Sequence, residues 1–183
     1  MSFQVTIVTT ANRVRRFTQN DETHIQSLLE SLRRTAQMFS GHSLIVASAN
    51  ETELFSPKAI TRIEIETQRD LNTYLPHHGA TRITALDVTD APRVPRIEDA
   101  YFAGQVDFYF EGGDVLPTWV EGPRPAGPNE RLANLTRMFE QPFLLYGLTG
   151  GGYGLMNPAV MTRALVHAPA DMLPVGAWRL NQA

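Results

Sequence analysis

A chain of 183 residues in which 43% are hydrophobic can fill the core of one ordinary domain or two small ones. Its net charge of -3 gives no electrostatic reason to expect a phosphate backbone or an anionic membrane as partner, and the absence of cysteine excludes a disulfide framework, a thiolate metal site and a cysteine nucleophile. The opening MSFQVTIVTTANRVRRF has no basic start followed by a continuous apolar run, and no stretch approaches the roughly eighteen apolar residues of a membrane span. The expectation is a soluble, cytoplasmic protein with no membrane partner.

In chain order, FQVTIVT (3–9) alternates Phe3, Val5 and Ile7 on one face and reads as a strand, followed by a hairpin through TANR (10–13). DETHIQSLLESLRRTAQMF (21–39) places Ile25, Leu28, Leu29, Leu32, Ala36 and Phe39 at helical spacing, with Asp21 and Glu22 in the first turn and Arg33 and Arg34 near the end. Three strands follow near 43–48, 52–56 and 60–66, the first two joined tightly through Ala49, Asn50 and Glu51, where Asn tolerates positive φ. After LPHHGA comes a last strand near 81–87. Residues 88–104, with Pro92 and Pro95, read as a linker.

The remainder repeats what came before. QVTIVTTANRVRRF (4–17) lies over QVDFYFEGGDVLPT (105–118), AQMFSGHSLIV (36–46) over TRMFEQPFLLY (136–146), ELFSPKAITR (53–62) over GLMNPAVMTR (154–163), and LPHHGATRIT (75–84) over LPVGAWRLN (173–181) with one residue dropped. The displacement is 100 to 101 in the first three of these and falls to 98 and then 97 in the last, and the order never changes, which points to internal duplication. Identical pairs include Gln4/Gln105, Pro57/Pro158, Thr61/Thr162, Arg62/Arg163, Asp70/Asp171 and Arg82/Arg179. The expected fold is α+β: a duplicated β-β-α-β-β-β-β unit, residues 1–87 and 105–183, giving two strand-rich pseudo-symmetric halves with one helix each. The second helix, PNERLANLTRMFEQ, reads as the shorter of the two.

The repeat also interprets LTGGGYGLMNPAVMTR (148–163), the most tempting site in the chain. Its glycines fall opposite SANETE (48–53), so Gly150, Gly151 and Gly152 read as a turn; a phosphate loop would need a helix N-terminus behind it, and Pro158 with VMTRALVH follows instead. EGGD (111–114) lies over TANR and reads likewise as a two-residue hairpin turn.

Polar candidates are few. His77 and His78 are adjacent, and neighbours on an extended chain point apart, so they form no joint metal site; no histidine spacing suits a metal, and no cofactor motif appears. Glu64 and Glu66 share a strand face that reads as solvated. Arg62, Arg163, Arg82 and Arg179 fall on the polar phase of their strands, and Asp70 with Asp171 makes a third shared polar pair: structural ion pairs, or contacts to a partner. The second unit shows Arg163, Leu165 and His167 where the first shows Arg62, Glu64 and Glu66, so its face suits an apolar contact.

The helix-then-three-strands order resembles Sm-type small barrels, and duplicated βαβββ units also occur in processivity clamps; the likeness is one of element order without a motif, and no family is assigned. The expected function is a non-enzymatic binding or assembly protein with a protein partner or a homo-oligomeric state, its binding residues Arg62, Arg163, Arg82, Arg179, Asp70, Asp171, Leu165 and His167. The alternatives are a small hydrolase or lyase in the crevice between units, using His77, His78 or His167 with Asp171 or Glu64, and a weak Sm-like nucleic-acid binder; nucleic acid is otherwise not expected.

Overall fold

Residues Phe3–Thr9 (β1) and Val14–Gln19 (β2) form the first hairpin, and Tyr101–Phe110 (β8) and Val115–Pro123 (β9) form its counterpart. The structure, a computed structural model, describes residues 3–48, 50–76, 79–87, 93–168, 177–178 and 180, apart from the side chains of Pro128, Arg131, Leu132 and Leu135. Both hairpins close through three residues, not the two that the sequence suggested: Thr9 N donates to Arg13 O and Phe110 N to Asp114 O, each at 3.0 Å. A three-residue hairpin ends in the left-handed region, and there Asn12 (φ 54°) and Gly113 (φ 89°) sit. Asn12, rather than Asn50, is the one non-glycine residue at positive φ among those described.

Asp21 caps α1 (Glu22–Leu32) by accepting from His24 N at 3.0 Å, and the buried stripe is Ile25, Leu29 and Leu32. The helix is shorter than its periodicity implied. After Leu32 the chain turns and tightens into a 3-10 turn over Thr35–Gln37, which shifts the phase so that Thr35 is buried in place of Ala36. The second helix, α2 (Pro128–Glu140), has no such break and is the longer. The strands Leu44–Ala47 (β3), Thr52–Phe55 (β4), Ile60–Glu66 (β5) and Arg82–Ala85 (β6) complete the first half. After Arg96–Ile97 (β7), which pairs with β8, the second half adds Leu144–Gly147 (β10), Tyr153–Met156 (β11) and Met161–Val166 (β12). Tyr101–Gly104, read from sequence as the end of the linker, are the first residues of β8. The last strand expected near the C-terminus lies outside the described residues except for Ala177, Trp178 and Leu180, which carry no assigned element.

The result is a strand-rich α+β chain. Its main sheet runs β12-β8-β9-β6-β10-β11-β5-β1-β2, while β3 and β4 make a separate two-stranded sheet. Local pairings in the two halves coincide. Val8↔Val14 corresponds to Tyr109↔Val115, and Thr6↔Glu64 to Asp107↔Leu165; both β1·β5 and β8·β12 carry a bulge at the same place. At that bulge Thr61 Oγ1 donates to Val8 O at 3.0 Å and Thr162 Oγ1 to Tyr109 O at 3.1 Å, which gives the shared threonine a backbone task. Pro57 and Pro158 each open the 3-10 turn before it, where a missing N–H costs nothing.

The halves are joined by strand pairing. β11 lies antiparallel to β5, β6 lies antiparallel to β9, and β6 meets β10 at the single parallel pair Thr84↔Gly147. Two cores result, one under α1 (Phe3, Ile7, Ile25, Leu29, Ile63) and one in the second half (Val106, Phe108, Phe110, Leu116, Met161). Each receives a side chain from the other half: Leu155 enters the first and Ile83 the second. No helix among the described residues is long and apolar enough to cross a membrane.

Candidate functional site

Arg62 stands on β5 beside the second half, where its guanidinium finds two carboxylates. Its Nε donates to Glu64 Oε1 at 3.0 Å, and Nη1 donates to Asp114 Oδ2. Tyr146 Oη, from β10, donates to the same Glu64 oxygen at 3.0 Å, and Thr61 Oγ1 lies 3.5 Å from Asp114. The side chains of Arg62, Glu64 and Asp114 are only 15%, 19% and 10% exposed. The strand face expected to be solvated is therefore enclosed at Arg62 and Glu64, because β10, β11 and the β8–β9 turn close over it. Glu66, two residues further, is exposed and accepts from Gln4 Nε2 at 2.9 Å. Gly154 makes room for the network: a Cβ there would sit 2.0 Å from Tyr146 Cζ.

Burial opposes the charge on Arg62, yet Tyr146, Asp114 and Glu64 together hold its guanidinium above its ordinary value. Burial first, and then the Glu64 carboxylate, push the Tyr146 phenol well above the ordinary range. A phenol whose pKa is raised by folding adds stability that is complete below its unfolded value of about 10 and is lost as pH climbs through the raised one. In an alkaline titration, one of the five tyrosines should give its phenolate absorbance only together with loss of ellipticity. Ionisation of Tyr146 in a chain with native circular dichroism would contradict the enclosed geometry.

A second polar cluster lies at the other end of the sheet. His167 Nε2 is 2.6 Å from Asp107 Oδ2, and Gln105 Nε2 donates to Asp107 Oδ1 at 3.0 Å. His167 N bonds Gln105 O at 2.9 Å, continuing the β8·β12 ladder, and Arg93 N donates to Gln105 Oε1 at 3.2 Å. The partner of His167 is thus Asp107, which the sequence did not single out; Asp171 lies outside the described residues, and Glu64 belongs to the Arg62 network. In the ladder Asp107 stands across from Leu165, two residues before His167 on β12.

The other predicted residues are scattered. Arg163 stands over the Tyr109 ring, its guanidinium carbon 3.9 Å from the centroid. Arg82 is exposed, with Glu121 at 3.9 Å, on the rim of a cleft of about 470 Å³ where β6 and β10 splay apart, lined also by Ile83, Thr84, Gly147 and Tyr153. Asp70 is exposed and accepts from Asn72 N at 2.9 Å, which makes a turn. Leu165 is 37% exposed on β12. Arg179, His77 and His78 lie outside the described residues. Gly150–Gly152 close the β10–β11 hairpin, with Leu148 N donating to Gly152 O at 3.1 Å, and no helix begins behind them. Among the described residues no group of three potential metal ligands occurs.

Family models, curated proteins and solved structures contain no match to this chain.

Proposed function

We propose that this chain is a non-enzymatic binding or assembly protein, built from a duplicated β-β-α-β-β-β-β unit and acting through protein–protein contacts. The observation that carries the reading is the exchange at the join, where each half completes its sheet with a strand of the other and each core takes in a side chain from its neighbour. The coincident registers, the matched bulges and the paired tasks of Thr61 with Thr162 and Pro57 with Pro158 support descent of both halves from one unit. A unit of this kind is an assembly element by construction, because its sheet edges are made to be covered by another unit.

Among the described residues, a hydrolase or lyase between the halves would draw on the His167–Asp107 pair. In the sheet order that pair is separated from the join at β6 by the whole of β9, so it does not face the cleft beside Arg82. The binding face is read instead on β12, where Leu165 and Val166 are exposed beside Arg163. Light scattering at tens of micromolar is expected to give a mass above one chain, falling toward one chain in Leu165→Glu. A wild-type chain that is monomeric throughout that range, with Leu165→Glu changing nothing, would remove the assembly reading.

A further inference from the structure

We propose that a second copy of this chain completes the main sheet, with β4 of one copy lying antiparallel along β12 of the other. The inference rests on the duplicated-unit reading above and takes its geometry from the join already present within the chain. There β11 pairs with β5 through Tyr153↔Ile65, Gly154↔Glu64, Leu155↔Ile63 and Met156↔Arg62. The same displacement of 101 turns these pairs into Thr52↔Val166, Glu53↔Leu165, Leu54↔Ala164 and Phe55↔Arg163. Those pairings are not made within the chain. Among the described residues β12 ends the main sheet, and β4 pairs with β3 alone.

Burial differs between the two hairpins as an unmade join requires. Leu145 and Leu155 face each other across β10–β11; Leu155 is fully buried and Leu145 packs on the first core. Their counterparts Ile45 and Leu54 face each other in the same way and are 62% and 67% exposed. The proposed strand partner carries its own exposed apolar residues, Leu165 and Val166. Where the internal join sets Tyr146 against Glu64, the counterparts are Val46 and Leu165, so this join needs no polar network to enter it. Near the C-terminus Leu180, the counterpart of the buried Ile83 on β6, is 81% exposed.

A second copy, rather than the same chain, is the occupant because of where the first hairpin is held. Arg15 on β2 is paired with Glu53, and the Phe17 ring meets Phe55 edge-on with centroids 6.3 Å apart. The hairpin therefore sits by β2, at the opposite end of the sheet from β12. Contact between unlike ends is head-to-tail, and it closes into a ring or continues as a chain according to the rotation between copies.

The absence of cysteine allows a direct test. Chains carrying Leu54→Cys and Ala164→Cys are mixed and oxidised, with Leu54→Cys and Thr136→Cys on α2, outside the proposed strand pair, as control; opposed strand residues are within disulfide reach. The expected result is a disulfide-linked pair enriched about tenfold over the control, together with self-association weakened about tenfold or more in Leu54→Glu. Leu54 is largely exposed, so an unchanged melting temperature at low concentration separates lost contact from lost folding. Dissociation by Leu165→Glu but not by Leu54→Glu, without the disulfide, overturns this register and leaves the assembly reading standing. An intramolecular disulfide in the doubly substituted chain overturns the second copy as occupant and leaves the duplication standing. A monomer that forms neither disulfide overturns both the register and the assembly reading.

Discussion

Replacing Arg62 with methionine is expected to cost about 3–5 kcal/mol in denaturant unfolding, because it removes the cation that pairs both carboxylates of an enclosed group. Glu64 would keep the Tyr146 hydroxyl as a donor, but Asp114 would be left beside the Thr61 hydroxyl at 3.5 Å, whose proton goes to Val8 O at 3.0 Å. The double variant Arg62→Met with Asp114→Asn should recover part of the loss, since the amide has no charge to desolvate. A cost below about 1 kcal/mol would place the network with hydrated surface pairs. Arg62 belongs to the first half, whereas Asp114 and Tyr146 belong to the second, so the substitution also tests what fastens the halves together.

The second large effect is expected from Gly152→Ala, with Gly151→Ala as its measure. Both residues have positive φ, +94° at Gly151 and +101° at Gly152, so both variants meet the left-handed penalty of about 1–2 kcal/mol. A Cβ on Gly151 has open space around it. One on Gly152 would lie 2.1 Å from Ile65 O and 3.1 Å from Glu66 Cα, both backbone atoms of β5 that cannot turn aside. The strand pair that joins the halves must then open, which adds about 1–3 kcal/mol for overpacking. Thermal unfolding should therefore rank Gly152→Ala clearly below Gly151→Ala. Equal melting temperatures would mean that the turn moves without disturbing β5.

The element order was legible because the aligned stretches carry similar alternations, so a strand that is ambiguous in one can be compared with the other. FQVTIVT and QVDFYFE share an alternation, and the glycines at 150–152 lose their appearance of a phosphate loop once SANETE lies beneath them. The hairpin loops are one residue longer than a glycine pair suggests: each has three residues and the last of them, Asn12 or Gly113, has positive φ, with Gly112 before it at positive φ as well in the second hairpin. The Arg62 network was hidden for a different reason. Asp114 lies 52 residues from Arg62 and Tyr146 lies 82 from Glu64, and their counterparts are Arg13 and Val46, so comparing the aligned stretches points away from a polar site. Periodicity reports which face of a strand is apolar and says nothing about which strand lies beside its edge. The placing of β10 and β11 against the first half could not be read for that reason, and with it went the meaning of Glu64.

The strand exchange also bears on the order in which the chain is made. When β5 and β6 leave the ribosome, β9, β10 and β11 have not yet emerged, so the outer edge of β5 and both edges of β6 have no partner to pair with. The first half cannot finish ahead of the second, and its pairing partners are separated from it by tens of residues, as in slow-folding β topologies. In the interval, the most similar partner for those edges is the corresponding stretch of another nascent chain on the same message, which places this protein among those for which crowded synthesis and correct pairing compete.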